Sequence, residues 1–405
     1  MSNQPKHWDE LAIRRKALKD ALFERDLLVD LLLACWLCGE NLLMVGPPGT
    51  AKSLVVETFA QMFGSGSYFR YLLTKFTTPE EIFGPISMKM LEHDKYERVL
   101  RNRAGDRKIL FLDECFKASS AILNALLTLL NEGLFFNDSK VVKCPTEIVV
   151  GASNEYEADD SLYALRDRFL VTAQINGIAD DDLWLELLFP SKARTPLPGT
   201  ISESVADLLR QDVQALGVSP DVKPAVRTIK SALMANGIVL SDRRWKNAMG
   251  LVKAWAALSG ATEVKVGHLD VLEHVAWRSP EQRPIAASVI LTIAAPDREV
   301  VRGHYHAIVA KLRDFPYKDL ARASTMDADA RASLIGAAGQ FLAELDDAMA
   351  AIMVRVRASQ GADAQVMQMA QDAERKIDSA TDALNLAQRG RRSSRLSSLA
   401  ATLTS

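Results

Sequence analysis

From Leu11 to Cys38 apolar residues recur at helical spacing, which predicts two helices ending at Gly39. The period then changes. Asn41–Val45 (NLLMV) predicts a short strand, a glycine-rich turn follows, and helical spacing resumes from Ser53 to Phe63. Further strands are predicted at Phe69–Leu73, Ile109–Leu112, Glu147–Ala152 and Phe169–Ala173. The run ILFL at Ile109–Leu112 has no polar face, as expected of a strand covered on both sides in a parallel sheet. A helix is predicted over Ser120–Asn131, with Ile122, Leu126 and Leu129 on one face and Gly133 as its C-terminal cap. Strands alternating with helices predict an α/β domain on a five-stranded parallel sheet.

The pattern changes again at Pro190–Gly199 (PSKARTPLPG), a polar, proline-rich linker. Glu203–Trp277 reads as all-helical. From Pro280 the chain is alanine-rich, with long helical patterns at Ala328–Arg357 and Ala364–Ala387. The expected division is residues 1–189 as the α/β core with N-terminal helices, 190–279 as a helical lid, and 280–405 as a C-terminal helical domain. Its basic tail from Arg389 is expected to be mobile.

Composition narrows the function. The 405 residues are 48% hydrophobic and 25% charged, with a net charge of −2, which argues against nucleic acid as the main partner. The basic runs Arg101, Arg103, Arg107, Lys108 and Arg389, Arg391, Arg392, Arg395 read as a solvated loop and a loose tail. Of the four cysteines, Cys35 and Cys38 form a C-x-x-C, but Cys115 and Cys144 stand alone and complete no zinc site. The pair is expected as buried thiols in a core helix. No apolar leader opens MSNQPKHWDE, and Leu27–Cys38 is too short to span a membrane and contains Asp30. A cytoplasmic protein is expected.

The chemistry starts at GPPGTAKS, Gly46–Ser53, between a predicted strand and helix. It matches the phosphate-binding loop pattern except that Ala51 replaces the second glycine. Gly46, Pro47, Pro48, Gly49, Thr50, Ala51, Lys52, Ser53 and Leu54 are the candidate nucleotide contacts. Lys52 is placed to reach the β and γ phosphates, and Ser53 to bind Mg²⁺. Glycine is needed only where φ is positive or a Cβ would collide. The residue before the lysine is expected to open the helix with negative φ, its N–H facing the phosphates; a positive φ at Ala51 would overturn that account.

Two more strand ends complete the candidate site. ILFLDE places Asp113 and Glu114 at a carboxyl end, where open α/β sheets bind ligands. Asp113 is the candidate Mg²⁺ ligand, and Glu114 the residue that orients or deprotonates the attacking water. In GASN, Asn154 is placed to hydrogen-bond the γ phosphate or that water.

These elements, in this order, resemble the AAA+ ATPases. GPPGTAKS, with alanine before lysine, is similar to the MoxR family. LLTKFTTPEEIFGPISM, KYERVL, LLTLLNEGLFFN, GASNE and SDRRWKNA resemble its RavA-type branch over about Leu11–Trp277. The resemblance implies ATP and Mg²⁺ as cofactors, Asn154 as sensor 1, Arg168 of LRDRF as an arginine finger acting on the adjacent subunit (Arg166 as the lesser candidate), and Arg243 as the sensor-2 arginine, with Arg244 as fallback. It also implies a hexameric ring that remodels or activates a protein client, with a von Willebrand factor A domain protein as partner. The alternative for Arg166 and Arg168 is an ion pair with Asp167 or Asp160.

Two insertions fit the helix-2-insert group: Thr78 to about Arg103, opened by the capping box Thr78-Pro79-Glu80-Glu81, and Phe135–Thr146, read as a hairpin. Both are expected near a ring pore or face. Only Phe315–Met326 interrupts the C-terminal helices, so the β-rich insert that docks a decarboxylase in RavA-type proteins is not expected. A nucleic-acid motor and a nucleotide-gated scaffold are the alternatives. The neutral charge counts against the first, and the intact Lys52, Glu114, Asn154 and Arg168 against the second. A small-molecule kinase fits less well, since no acceptor-binding motif is visible.

Overall fold

Five strands form a wholly parallel sheet; four of them are almost wholly buried, as in sheets covered on both faces, while the edge strand at Tyr68–Leu72 exposes Arg70 and Leu72. In chain order the strands are β1 (Asn41–Val45), β2 (Tyr68–Leu72), β3 (Ile109–Asp113), β4 (Leu134–Asn137), β5 (Lys140–Lys143), β6 (Ile148–Ser153) and β7 (Phe169–Gln174). The sheet runs β2-β3-β6-β1-β7, and β4 and β5 make a separate antiparallel hairpin. With β6 between β1 and β3, all parallel, the carboxyl ends of these three strands gather on one edge. The computed structural model describes residues 5–138, 140–154, 163–190, 197–358 and 363–389. Glu155 and Asp160, part of the linker and the tail from residue 390 lie outside the described residues.

The helices around the sheet are α1 (Lys6–Ala21), α2 (Asp26–Cys38), α3 (Lys52–Ala60), α4 (Pro79–Phe83), α5 (Met88–Leu91), α6 (Ser120–Glu132), α7 (Tyr163–Arg166) and α8 (Asp181–Leu188). Almost every side chain of α2 is buried, Asp30 among them. That carboxylate is offset by Arg15 at 2.6 Å and Lys19 at 2.7 Å from α1. Cys35 is buried and Cys38 half-buried, and burial pushes both thiols up. Gly39 and Gly133 end α2 and α6 in the left-handed conformation, as helix caps require.

Both insertions are present and pack on each other. Glu81 accepts the Thr78 N–H at 2.6 Å at the start of α4, completing the predicted capping box. Phe83 stacks on Phe135 of β4 at 4.8 Å, and the Asn137 side chain bonds both backbone groups of Arg98. The neighbouring basic run is not merely solvated. Arg103 donates to Glu81 O at 3.0 Å, and Lys108 pairs with Glu147 at 3.2 Å and Glu203 at 2.7 Å.

The lid elements are α9 (Glu203–Ala215), β8 (Gly217–Val218), α10 (Val222–Ala235), α11 (Asp242–Leu258), β9 (Glu263–Val264), a 3₁₀ helix at Val266–His274, and α12 (Gln282–Ala294). Beside its helices the lid thus holds a two-residue strand pair. Glu147, at the amino edge of the sheet, anchors α9. It accepts from Trp36 Nε1 at 2.7 Å and from Arg210 at 2.6 Å, and Arg210 lies over the Trp36 ring.

The chain divides into two compact units, Met1–Ile290 and Leu291–Ser405. The second contains α13 (Pro296–Arg313), α14 (Tyr317–Arg322), α15 (Ala328–Ala358) and α16 (Ala364–Gln388), with no strand among its described residues. Its core joins Val301, Ile308 and Leu312 to Leu345 and Ile352, and alanines such as Ala373 and Ala380 allow α16 to approach closely. The Phe315–Met326 segment forms α14 and a 3₁₀ turn, and buries Phe315, Tyr317 and Leu320.

Candidate functional site

The loop after β1 is shaped by two glycines with different jobs. A Cβ on Gly46 would lie 2.1 Å from Ile175 O, so only glycine fits there. Gly49 has φ +82°, the left-handed region. Pro47, Pro48 and Gly49 are exposed, while Thr50 is buried and donates its hydroxyl to Pro47 O at 2.8 Å.

Ala51 corrects the expectation drawn from the sequence. Its φ is +64° and ψ +20°, not helical, and α3 begins one residue later, at Lys52. Ala51 is the residue that turns the chain into the helix: its carbonyl already accepts the Val55 N–H at 3.0 Å, while its own backbone is left-handed. That conformation explains the glycine of the usual pattern, and a Cβ there costs about 1–2 kcal/mol. Alanine is accommodated under strain.

Lys52 is buried, and its Nζ donates to Gly46 O at 2.6 Å, Pro47 O at 3.0 Å and Asn154 Oδ1 at 2.9 Å. Burial lowers its pKa, against the raising influence of Asp113 and Glu114. Asn154, just past β6, donates its amide N–H to Glu114, just past β3. Glu114 is buried, stands at φ +51°, and pairs with Lys117 at 3.2 Å. Asp113 is half-buried and lies 3.7 Å from Arg70. Ser53 and Leu54 are half-buried in the first turn of α3. The structure therefore brings Lys52, Asp113, Glu114 and Asn154 to one edge of the sheet. Ala51 and Glu114 are two of the six described non-glycine residues with positive φ, and such strain concentrates at functional sites.

The arginines gather elsewhere. Arg168 directly precedes Phe169, which pairs with Asn41 at the start of β1, so it sits at the amino edge of the sheet. The Asn41 side chain donates to Arg168 O and Leu130 O, both at 3.3 Å, and fixes that corner. Arg168, Arg243, Arg244, Glu40 and Asn247 line a polar cleft of about 80 Å³ there. Four steps along β1 separate this corner from the loop, about 13 Å at ~3.3 Å per residue. Burial lowers the Arg168 pKa, as does the nearby charge of Arg243. The Asp167 partner foreseen for Arg168 is 4.0 Å away. Arg166 lies over the Phe116 ring at 6.0 Å. Arg243 is exposed, whereas Arg244 is buried and donates to Val275 O at 3.1 Å, Phe169 O at 3.4 Å and Leu170 O at 2.8 Å.

Sequence reasoning missed Arg25, Glu40 and Arg70. Arg25 sits in the turn before α2 and reaches the carbonyl of Thr50. Glu40 is raised to about 7 by burial, which outweighs Asn247, Arg243 and Arg244. Arg70 lies over the Phe111 ring beside Asp113. Nothing in their sequence surroundings marks Arg25 or Glu40; Arg70 carried a weak signal, a cation within a predicted strand, two positions before the end of β2.

Residues 9–207 match the profile described as the MoxR domain in the MoxR-vWA-beta-propeller ternary systems, and residues 221–290 match an AAA lid domain. An uncharacterized protein of Methanocaldococcus jannaschii is 35% identical over 270 residues, 66% of this chain and 71% of its own length. A second from the same organism is 32% identical over 76% of this chain and 80% of its own. Chaperone MoxR1 of Mycobacterium tuberculosis is 25% identical over 64% and 68%, respectively. A crystal structure of an ATPase candidate from Cytophaga hutchinsonii shares the fold, with a TM-score of 0.58 at 16% identity over 71% of this chain and 94% of that one. The sheet order, the loop and these matches together establish that the chain belongs to the MoxR family of AAA+ ATPases.

Proposed function

We propose that the protein hydrolyses ATP with Mg²⁺ in a ring of its own copies and uses the cycle to remodel a protein client. The observation that carries this reading is the hydrogen-bonded series Lys52–Asn154–Glu114 at the carboxyl edge of the sheet. The buried Lys52 ammonium is held by neutral oxygens, so a phosphate brings the charge it lacks. Glu114 is the base for the attacking water, with its carboxylate aimed by Asn154. Ser53 and Asp113 offer hard oxygen ligands suited to Mg²⁺. When bound, the ion neutralises phosphate charge.

Arg168 lies a strand length from the loop of its own chain, which supports a finger that serves the neighbouring subunit. Arg243, on the same corner, is proposed to act with it from the lid. The division into core at 1–189, lid and accessory helical domain is proposed, with the lid extended from residue 279 to the end of the first unit at Ile290. No described helix is long and apolar enough to cross a membrane, and a cytoplasmic location is proposed.

The RavA-like motifs support that branch as the nearest mechanistic parallel. The matched MoxR profile supports a von Willebrand factor A domain partner. The paired insertions and the segment leading into them offer it exposed apolar side chains: Phe76 is 91% exposed, Met88 72% and Phe136 60%. The test is Glu114→Gln. It is expected to retain ATP while turnover falls by about 10²–10⁴-fold, and to co-purify with the partner in ATP. Unchanged turnover would remove Glu114 as the base.

A further inference from the structure

The turn between α1 and α2 reaches the phosphate loop without belonging to it. Glu24, at φ +52°, accepts the N–H groups of Ala179 and Asp180 at 2.7 and 2.8 Å, where the chain leaves β7 for α8. Arg25 is buried. Its Nη2 donates to Asn176 O at 2.7 Å and to Thr50 O at 3.3 Å, and its Nη1 donates to Glu24 O at 2.9 Å. Its Nε is buried without a hydrogen-bond partner among the described residues. Burying a guanidinium is costly, and this one uses its donors on backbone carbonyls of the loop itself, at Thr50, and of the segment after β7, at Asn176.

The carbonyl of Thr50 belongs to the same peptide as the N–H of Ala51. That peptide is planar and trans, so the two groups point in opposite directions. Holding the carbonyl toward Arg25 turns the Ala51 N–H away from it. Ala51 is also the strained position, at φ +64°. Without an external hold, an alanine is favoured to leave the left-handed region.

We propose that Arg25 is a positioning residue that fixes the Thr50–Ala51 peptide with its N–H toward the bound phosphates, and so allows alanine to stand where the loop pattern has glycine. This rests on the reading of Gly46–Ser53 as the nucleotide loop. Arg25 touches the loop from behind and leaves the phosphate side to the backbone and Lys52. Lysine at this position keeps the charge but loses the fork that spans two carbonyls.

The test is ADP affinity by calorimetry on the full chain, with the nucleotide-free melting temperature measured alongside. The variants are Lys52→Ala, Arg25→Lys, Arg25→Gln, Ala51→Gly, and Arg25→Lys combined with Ala51→Gly. Arg25→Lys is expected to weaken ADP about tenfold, or about 1.4 kcal/mol. In the Ala51→Gly background the loss is expected to shrink to about threefold or less, because glycine holds φ +64° unaided. Equal losses in both backgrounds, or ADP binding by both Arg25 variants at wild-type strength, would overturn the proposal. So would both Arg25 variants melting more than about 5 °C lower without nucleotide, since a drop that large assigns Arg25 to folding. If Lys52→Ala binds ADP as well as the wild type does, the nucleotide reading itself fails.

Discussion

Asn154 receives the Lys52 ammonium on its Oδ1 at 2.9 Å and gives its amide N–H to Glu114, so one side chain links the cation of the loop to the carboxylate of the neighbouring strand. Such a link holds Glu114 apart from Lys52 and prevents a direct ion pair that would neutralise both. Asn154→Ala removes the spacer. Turnover is expected to fall about 10²-fold, as when one donor is lost from a preorganised site, while the ADP dissociation constant changes far less. Steady-state ATP hydrolysis with calorimetric ADP titration checks this. A loss confined to binding would show that Asn154 serves the loop and not Glu114.

Ala51 gives a stability prediction of its own. Glycine relieves about 1–2 kcal/mol of left-handed strain but returns about 0.5–1 kcal/mol as unfolded-chain entropy. The net gain raises the melting temperature of the first unit by about 2 °C. A fall in melting temperature for Ala51→Gly would mean that the methyl group packs favourably enough to offset its backbone.

Much of the site was legible because its chemistry is local in sequence. Strands such as ILFL declare themselves by having no polar face, and Asp113 and Glu114 follow one directly. The sign of φ at Ala51 was not legible, since alanine carries no mark of a left-handed turn. Arg25 was hidden for another reason: its partners Thr50 and Asn176 are 25 and 151 positions away and meet it only through the fold. The burial of Arg244, beside an exposed Arg243, was readable as a helical pattern. Arg244, Ala248 and Leu251 fall on one helical face, and all three are buried.

Glu40 makes the arginine corner sensitive to pH. Burial raises its folded-state pKa to about 7, above the ordinary 4.5. The folded protein therefore holds this proton more tightly than the unfolded chain, and between these two values stability falls as pH rises. The contribution is fully present below about pH 4.5 and is lost as pH passes about 7. Glu40→Gln cannot ionise. Its melting temperature relative to the wild type is expected to rise from pH 5 to pH 8. A difference that stays flat across this range would show that Arg243 and Arg244 already stabilise the carboxylate fully.

The separation of Arg168 from Lys52 predicts a result that one chain alone cannot give. If Arg168 completes the site of the next subunit, Arg168→Ala should abolish turnover and leave ADP affinity unchanged, while Lys52→Ala should abolish binding. Mixing the two inactive proteins brings some intact Lys52 loops opposite intact Arg168 residues, so part of the turnover returns. Arg244→Ala serves as the contrast. Its guanidinium bonds three backbone carbonyls and lies 3.6 Å from Asp167 in the interior. Its loss is expected to destabilise the first unit by about 3 kcal/mol or more, seen as a lower melting temperature. Steady-state hydrolysis by the mixture, across a range of ratios, decides the matter. No recovery at any ratio, with both variants folded and assembled, would place the action of Arg168 within its own chain or outside catalysis.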